Sequence, residues 1–314
     1  MPVQPKDFAI IEYNADPSRE IAVLGVNSLL SVFTADLSGT LTLTTDIAFI
    51  GNGQGITPID ANNDTFEDVI VTLRAPTTFF TTYLSDGTTP YFAFPNPLTF
   101  NHPLPAGCFA FDITVLNYNG DANADVAISC ESGTRVVTYT GNGLGNFTLD
   151  LDINTLANEA REIIASDLDN DGDDDLLVTL LNGGVQVLEF DAGTFTPDLP
   201  QFENTTPLTN DFFQNIQETD FNSDSFPDFY MTNNSSNEIV RLLGSNTVFF
   251  SKQDISVPGP LLGQTLIDIN SDGDDDIITV QENPNQIQVR SIGPRPGFRR
   301  DYIGAPRSFF FGDN

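Results

Sequence analysis

The sequence has no tryptophan, two methionines, two cysteines and one histidine, and its 12 basic residues include only two lysines, Lys6 and Lys252. Each scarcity excludes something. His102, between Asn101 and Pro103, reads as a surface residue of a connecting loop, and Cys108 and Cys130 have no second histidine with which to form a nucleophilic dyad. The 44 acidic residues outweigh the basic ones to a net charge of −32, a surface that repels nucleic acid and anionic membranes, so neither is an expected partner. No apolar run reaches the length of a membrane-spanning helix, so membrane insertion is not expected. The N-terminal MPVQPKDFAIIEY lacks the basic-then-apolar order of a secretory signal. Helical periodicity is nearly absent, the best candidate being LANEAREII from Leu156. What is abundant is apolar and aromatic: 39% hydrophobic residues and 26 phenylalanines are far too many for a disordered acidic chain. The chain folds around a sizeable core, and the acidity suits a salty environment, where screening makes self-repulsion tolerable.

The two cysteines leave their pairing open. A hairpin with Asn117 opposite Asp125 puts Cys130 across from residue 112, with Cys108 four positions further on, roughly 13 Å away at strand rise. That exceeds disulfide reach unless Pro105 and Gly107 bend the chain.

One element recurs six times: acidic or Asn residues at positions 1, 3, 5 and 9, followed by a short apolar strand. The copies are EYNADPSREIAV from Glu12, DANNDTFEDVIV from Asp60, NYNGDANADVAI from Asn117, DLDNDGDDDLLV from Asp167, DFNSDSFPDFYM from Asp220 and DINSDGDDDIIT from Asp268. Starting points are 48, 57, 50, 53 and 48 residues apart. An extended apolar segment precedes each loop, a strand follows it, and two further β-rich runs come next, separated by Gly, Asn and Asp. Four short strands per repeat of this length make one blade of a β-propeller. The fold class is therefore all-β, a six-bladed propeller of four-stranded antiparallel blades. Approximate blade limits are 1–51, 52–105, 106–156, 157–208, 209–259 and 260–304, with a C-terminal extension over 305–314.

Calcium takes six to eight oxygens, and alternate side chains on a tight loop can converge on one ion. The expected ligand sets are Glu12, Asn14, Asp16 and Glu20; Asp60, Asn62, Asp64 and Asp68; Asn117, Asn119, Asp121 and Asp125; Asp167, Asp169, Asp171 and Asp175; Asp220, Asn222, Asp224 and Asp228; and Asp268, Asn270, Asp272 and Asp276. The spacing begins as in an EF-hand but departs from it at position 12. Position 12 carries Val23, Val71, Ile128, Val178, Met231 and Thr279 instead of a bidentate Glu, so position 9 is expected to close the shell. Six divalent ions would cancel only part of the net charge, so salt adaptation is still needed.

These loops resemble the FG-GAP and VCBS repeats, the calcium-loop propellers that include the integrin α-subunit head. The copies at Asp167 and Asp268 match the family pattern D-x-D-x-D-G-x-x-D, and TGNGLGNF from Thr140 resembles its Gly-rich turn ending in Phe. The resemblance implies a propeller, calcium at the side chains above, and a backbone carbonyl ligand at position 7. Position 6 departs from the family glycine at Pro17, Thr65, Ala122 and Ser225.

The expected function is a calcium-stabilised binding or adhesion propeller, extracellular or on a cell or virion surface, without catalytic activity. Its protein or glycan ligand is expected on the face opposite the calcium loops, where connectors such as GNGQG near Gly51, PNPLTFNHPLPAG from Pro95 and LPQFENTTPLTNDF from Leu199 vary. Alternatives are a structural subunit of a surface filament or virus particle, and a carbohydrate-active enzyme, whose two carboxylates need not share a local motif. Asn-x-Ser/Thr matches occur at Asn146, Asn204, Asn233 and Asn234. Arg290, Arg295, Arg299, Arg300 and Arg307 hold five of the 12 positive charges and precede three consecutive Phe, so the C-terminal extension is expected to dock on blade 1 or on a neighbouring subunit.

Overall fold

The computed structural model describes residues 5–12, 19–25, 28–35, 40–49, 51–74, 79–85, 87, 99–131, 133–181, 183–202, 213–222, 224–233, 235–245, 247–257, 261–268, 276–281, 286–290 and 307–310. These residues contain 24 strands and no helix. The first sheet comprises β1 (Pro5–Ile11), β2 (Glu20–Gly25), β3 (Leu29–Ala35) and β4 (Leu41–Ala48). The second comprises β5 (Asn52–Ile59), β6 (Asp68–Arg74), β7 (Phe79–Tyr83) and β8 (Thr99–Pro103). The third comprises β9 (Phe109–Leu116), β10 (Asp125–Glu131), β11 (Val136–Gly141) and β12 (Phe147–Ile153), and the fourth β13 (Ala160–Ser166), β14 (Asp175–Leu180), β15 (Val185–Asp191) and β16 (Thr194–Pro197). The fifth comprises β17 (Phe213–Thr219), β18 (Asp228–Asn233), β19 (Glu238–Ser245) and β20 (Thr247–Ser256). The sixth comprises β21 (Leu261–Ile267), β22 (Asp276–Gln281), β23 (Gln286–Arg290) and β24 (Arg307–Phe310). Within every sheet the strands lie in sequence order, the arrangement of a six-bladed β-propeller.

The chain divides into two compact units, 1–165 with 190–195, and 166–189 with 196–314. In the first, Ile11, Ala22, Leu24 and Val32 of sheet 1 pack with Ile56, Val69 and Val71 of sheet 2. Ile70 and Phe80 of sheet 2 form a further cluster with Val126, Ile128 and Tyr139 of sheet 3. In the second unit, Tyr230 and Ile239 pack with Leu261 and Ile277. The second strands β14 and β18 are buried at every residue. That is why DLLVTL and DFYMTN read as nearly continuous apolar runs rather than alternating ones.

Four expectations need correction. The LANEAREII stretch supplies β13, not a helix. Its backbone finds partners on sheet 3, where the Ile163 N–H donates to Asp112 Oδ2 at 3.0 Å and the Ala165 N–H to Thr114 Oγ1 at 3.2 Å, contacts an exposed short helix would forgo. His102 is 3% exposed within β8, so it is neither a surface residue nor part of a connecting loop. Arg307–Phe310, expected beyond the sixth blade, is that blade's fourth strand, with Ile287 opposite Phe309 and Val289 opposite Arg307. Arg295, Arg299 and Arg300 lie outside the described residues.

The fourth correction concerns the cysteines. Asp125 pairs with Leu116 rather than Asn117, and a bulge carries the ladder from Ser129 opposite Asp112 to Cys130 opposite Ala110. Cys108 then lies two positions beyond the facing residue instead of four. The Cys108 N–H also turns back onto the Pro105 carbonyl at 3.0 Å. The Cα atoms approach to 4.9 Å and the two residues form a disulfide.

Candidate metal centre

Each acidic loop joins the first strand of a blade to its second, and the hydrogen bonds of three loops follow one scheme. In the fourth, the Asp171 N–H donates to Asp167 Oδ1 at 3.0 Å and to Asp169 Oδ1 at 3.2 Å. The Gly172 N–H donates to Asp167 Oδ2 at 3.1 Å, and the Asp173 N–H to Asp171 Oδ1 at 3.0 Å. The second loop repeats this: the Asp64 N–H reaches Asp60 and Asn62, the Thr65 N–H reaches Asp60, and the Phe66 N–H reaches Asp64. The fifth does the same with Asp220, Asn222 and Asp224 accepting from Asp224, Ser225 and Phe226. Short polar side chains turn the chain by capping its own amides.

The turn needs left-handed backbone at position 6. Gly172 supplies it at φ 102°, and Thr65 and Ser225 adopt it at 75° and 73° although they carry a Cβ. At Thr65 and Ser225 the missing glycine therefore does not change the loop. The third loop does differ: Ala122 is not in the left-handed region, and Asn117 Nδ2 donates to the Asp121 carbonyl at 3.0 Å instead of position 1 accepting from position 5. In the first loop the exposed Glu12 carboxylate pairs with Arg19 at 2.8 Å, while Asn14 and Asp16 lie outside the described residues. In the sixth, Asp268 and Asp276 are described and Asn270 and Asp272 are not.

Asp167, Asp169 and Asp171 bring one carboxylate oxygen each to within 4.8 Å of one another. Oxygens about 2.4 Å from a shared calcium ion are separated by up to about twice that distance, so both the spacing and the all-oxygen donor set fit this ion. Asp175 stands outside the trio. Its Oδ2 accepts the Leu168 N–H at 3.1 Å, and the residue is 1% exposed.

Position 9 has the same inward role in the second, third and fifth loops. Asp68 accepts from Ala61 at 3.0 Å and from Ser85 at 2.6 Å. Asp228 accepts from Phe221 at 2.9 Å and from Gly244 at 2.8 Å, and Asp125 accepts from Gly141 at 2.9 Å. Asp125 and Asp228 thus staple their loops to the third strand of their own blade, and Asp68 staples its loop to Ser85 just past that strand. Burial pushes Asp68 up to about 7 and Asp125 and Asp228 to about 6, against the lowering effect of the amides. Ser85, Gly141 and Gly244 were not legible as part of the loop. Their one sequence signal is a small residue near the end of the third strand.

Adjacent loops also touch. Asn63 Nδ2 of the second donates to Asn123 Oδ1 of the third at 2.9 Å. Asn170 Nδ2 of the fourth donates to the Ser225 carbonyl of the fifth at 3.1 Å. Beneath this second contact lies a cavity of about 260 Å³ lined by Asp167, Asn170, Glu218, Asp220, Ser225 and Phe226. Burial raises the Glu218 pKa there, with the Ser166 hydroxyl opposing.

Fold and loops together define a repeat propeller with an acidic turn between the first two strands of its blades. Residues 117–178 and 220–287 match the FG-GAP-like repeat family. No curated protein matches the sequence. Among solved structures, BBS1N in complex with ARL6DN superposes with a TM-score of 0.65 at 9% identity, covering 97% of this chain and 82% of that one. The periplasmic gluconolactonase PpgL of Pseudomonas aeruginosa gives 0.65 at 13%, covering 98% and 86%. A Bacteroides uniformis protein proposed to be a 6-phosphogluconolactonase gives 0.64 at 12%, covering 97% and 88%. At such identities the likeness is one of fold. It nevertheless overturns the expectation that this chain is not an enzyme, because the same architecture carries a lactonase and the absence of catalysis does not follow from it.

Proposed function

We propose that this protein is a calcium-stabilised binding propeller of an extracellular or surface setting, recognising a protein or glycan through the connectors opposite its acidic loops. The observation that carries the reading is the convergence of Asp167, Asp169 and Asp171 on a point the size of a calcium shell, in a turn shared by the second and fifth loops. The Cys108–Cys130 disulfide supports an oxidising compartment. The large acidic excess favours cations and disfavours polyanions.

The test is thermal unfolding in calcium and in EGTA. Sites with dissociation constants on the order of 0.1 to 1 mM gain about 2.7 kcal/mol each at 100 times that concentration. The midpoint is expected to rise with calcium, and to rise least in the double variant Asp167→Ala, Asp171→Ala. An Asn117→Ala change should leave the calcium response nearly intact. A midpoint indifferent to calcium rejects the reading. A glycan array probed with the calcium-loaded chain then separates a glycan ligand from a protein one.

A further inference from the structure

The fourth and fifth loops are joined by a hydrogen bond placed where it can carry information between them. Asn170 sits at position 4, between Asp169 and Asp171, in the left-handed region at φ 62°. The group it meets is the Ser225 carbonyl, at 3.1 Å. Ser225 is at position 6 of the fifth loop, directly after Asp224, and its own N–H is held by Asp220 at 3.0 Å. A single contact therefore links the residue between two oxygens of one loop to the residue between two ligand positions of the next. The second loop repeats the device: Asn63, also at position 4 and at φ 58°, reaches Asn123 at position 7 of the third loop. Two independent occurrences at the same position make this a feature of the repeat. Gly120, at position 4 of the third loop, has no side chain with which to extend the chain of contacts.

We propose that Asn170 is a positioning residue that couples cation occupancy of the fourth loop to that of the fifth, an inference that rests on the calcium reading above. An empty loop must be ordered when it binds its ion. Asn170 makes ordering of one loop restrict Ser225 in the other, so the second ion meets a loop already partly arranged. Coupling is reciprocal: whatever the fourth loop does for the fifth, the fifth does for the fourth. One neutral hydrogen bond sets the scale at about fivefold in affinity.

The experiment is hydrogen exchange of the full chain, followed by mass spectrometry of peptides spanning residues 220–230, across a calcium titration. Asn170→Gly keeps the left-handed backbone and removes the donor. Asn170→Asp, also tolerant of that backbone, keeps the shape but cannot donate from a carboxylate. Either change should move the calcium midpoint of the 220–230 segment to about fivefold higher concentration with the ligands of both loops intact. Emptying the fourth loop with Asp169→Asn and Asp171→Asn should produce a similar shift, and adding Asn170→Gly to it should shift nothing more. A 220–230 midpoint that ignores Asn170→Gly and Asn170→Asp overturns the coupling alone. Absence of calcium protection in every loop of the unaltered chain overturns the calcium reading and the coupling with it.

Discussion

The Ala124 carbonyl lies so close over Gly141 that a Cβ there would come within 2.1 Å of its oxygen. The same relation holds between Pro227 and Gly244 at 2.3 Å. In both blades the position 8 carbonyl crosses the third strand at a glycine whose N–H holds the position 9 carboxylate. The loop is seated by backbone against backbone, and there is no flexible side chain to move aside.

Replacing Gly141 or Gly244 with Ala should therefore destabilise the fold by about 3 kcal/mol, the upper end for forced overpacking. Chemical denaturation with a linear extrapolation measures it. A loss below about 1 kcal/mol would show that the loop lifts off at little cost.

Asp68 prescribes a pH dependence in metal-free protein. Burial raises its folded pKa to about 7 from 3.8, so the folded state holds the proton more tightly than the unfolded chain. Its contribution is fully present below pH 3.8 and is lost as pH rises toward 7. In EGTA, Asp68→Asn should become progressively more stable relative to the parent between pH 4 and pH 7. A constant difference across that range would contradict the raised pKa.

His102 acts with the opposite sign. Its Nδ1 accepts the Phe147 N–H at 3.4 Å, its Nε2 is 3.0 Å from the Thr82 hydroxyl, and Phe80 lies 4.6 Å from its ring. Burial lowers its pKa to about 4 from 6.5, so the unfolded chain takes up the proton first and stability falls as pH drops from 6.5 toward 4. His102→Gln should cost stability at pH 7, and the gap to the parent should narrow by pH 4.5. Melting curves at the two pH values decide it, and a gap that widens in acid would be inconsistent with a neutral buried imidazole.

Thr65 and Ser225 carry a Cβ at φ 75° and 73°, where an L-residue costs about 1 kcal/mol or more relative to glycine. Thr65→Gly and Ser225→Gly should each raise the melting midpoint in calcium by a few degrees. The β-branched Thr65 should gain more. Calorimetry reads this directly, and a fall in midpoint would mean that the side chains contribute more than the strain removes.

The six loops and the blades they open were legible in the chain because every oxygen of one turn comes from a few consecutive residues. The Asp167, Asp169 and Asp171 convergence needs no partner from elsewhere, and the alternation of short apolar runs with Gly, Asn and Asp sets four strands per repeat. The sequence determined that much through local geometry alone. What joins residues far apart depended on tertiary structure. One bulge beside Ser129 decided that Cys108 meets Cys130, and a hairpin read without it puts them out of reach. Sheet packing decided that His102 is interior, since nothing in the residues beside it distinguishes a fourth strand from a loop. The inward hydrogen bonds of Asp68, Asp125 and Asp228 were not legible, because Ser85, Gly141 and Gly244 are brought to them only when the blade closes. Asn63 reaching Asn123, 60 positions along the chain, and Asn170 reaching Ser225, 55 positions along, exist only because two blades of one unit place successive turns side by side.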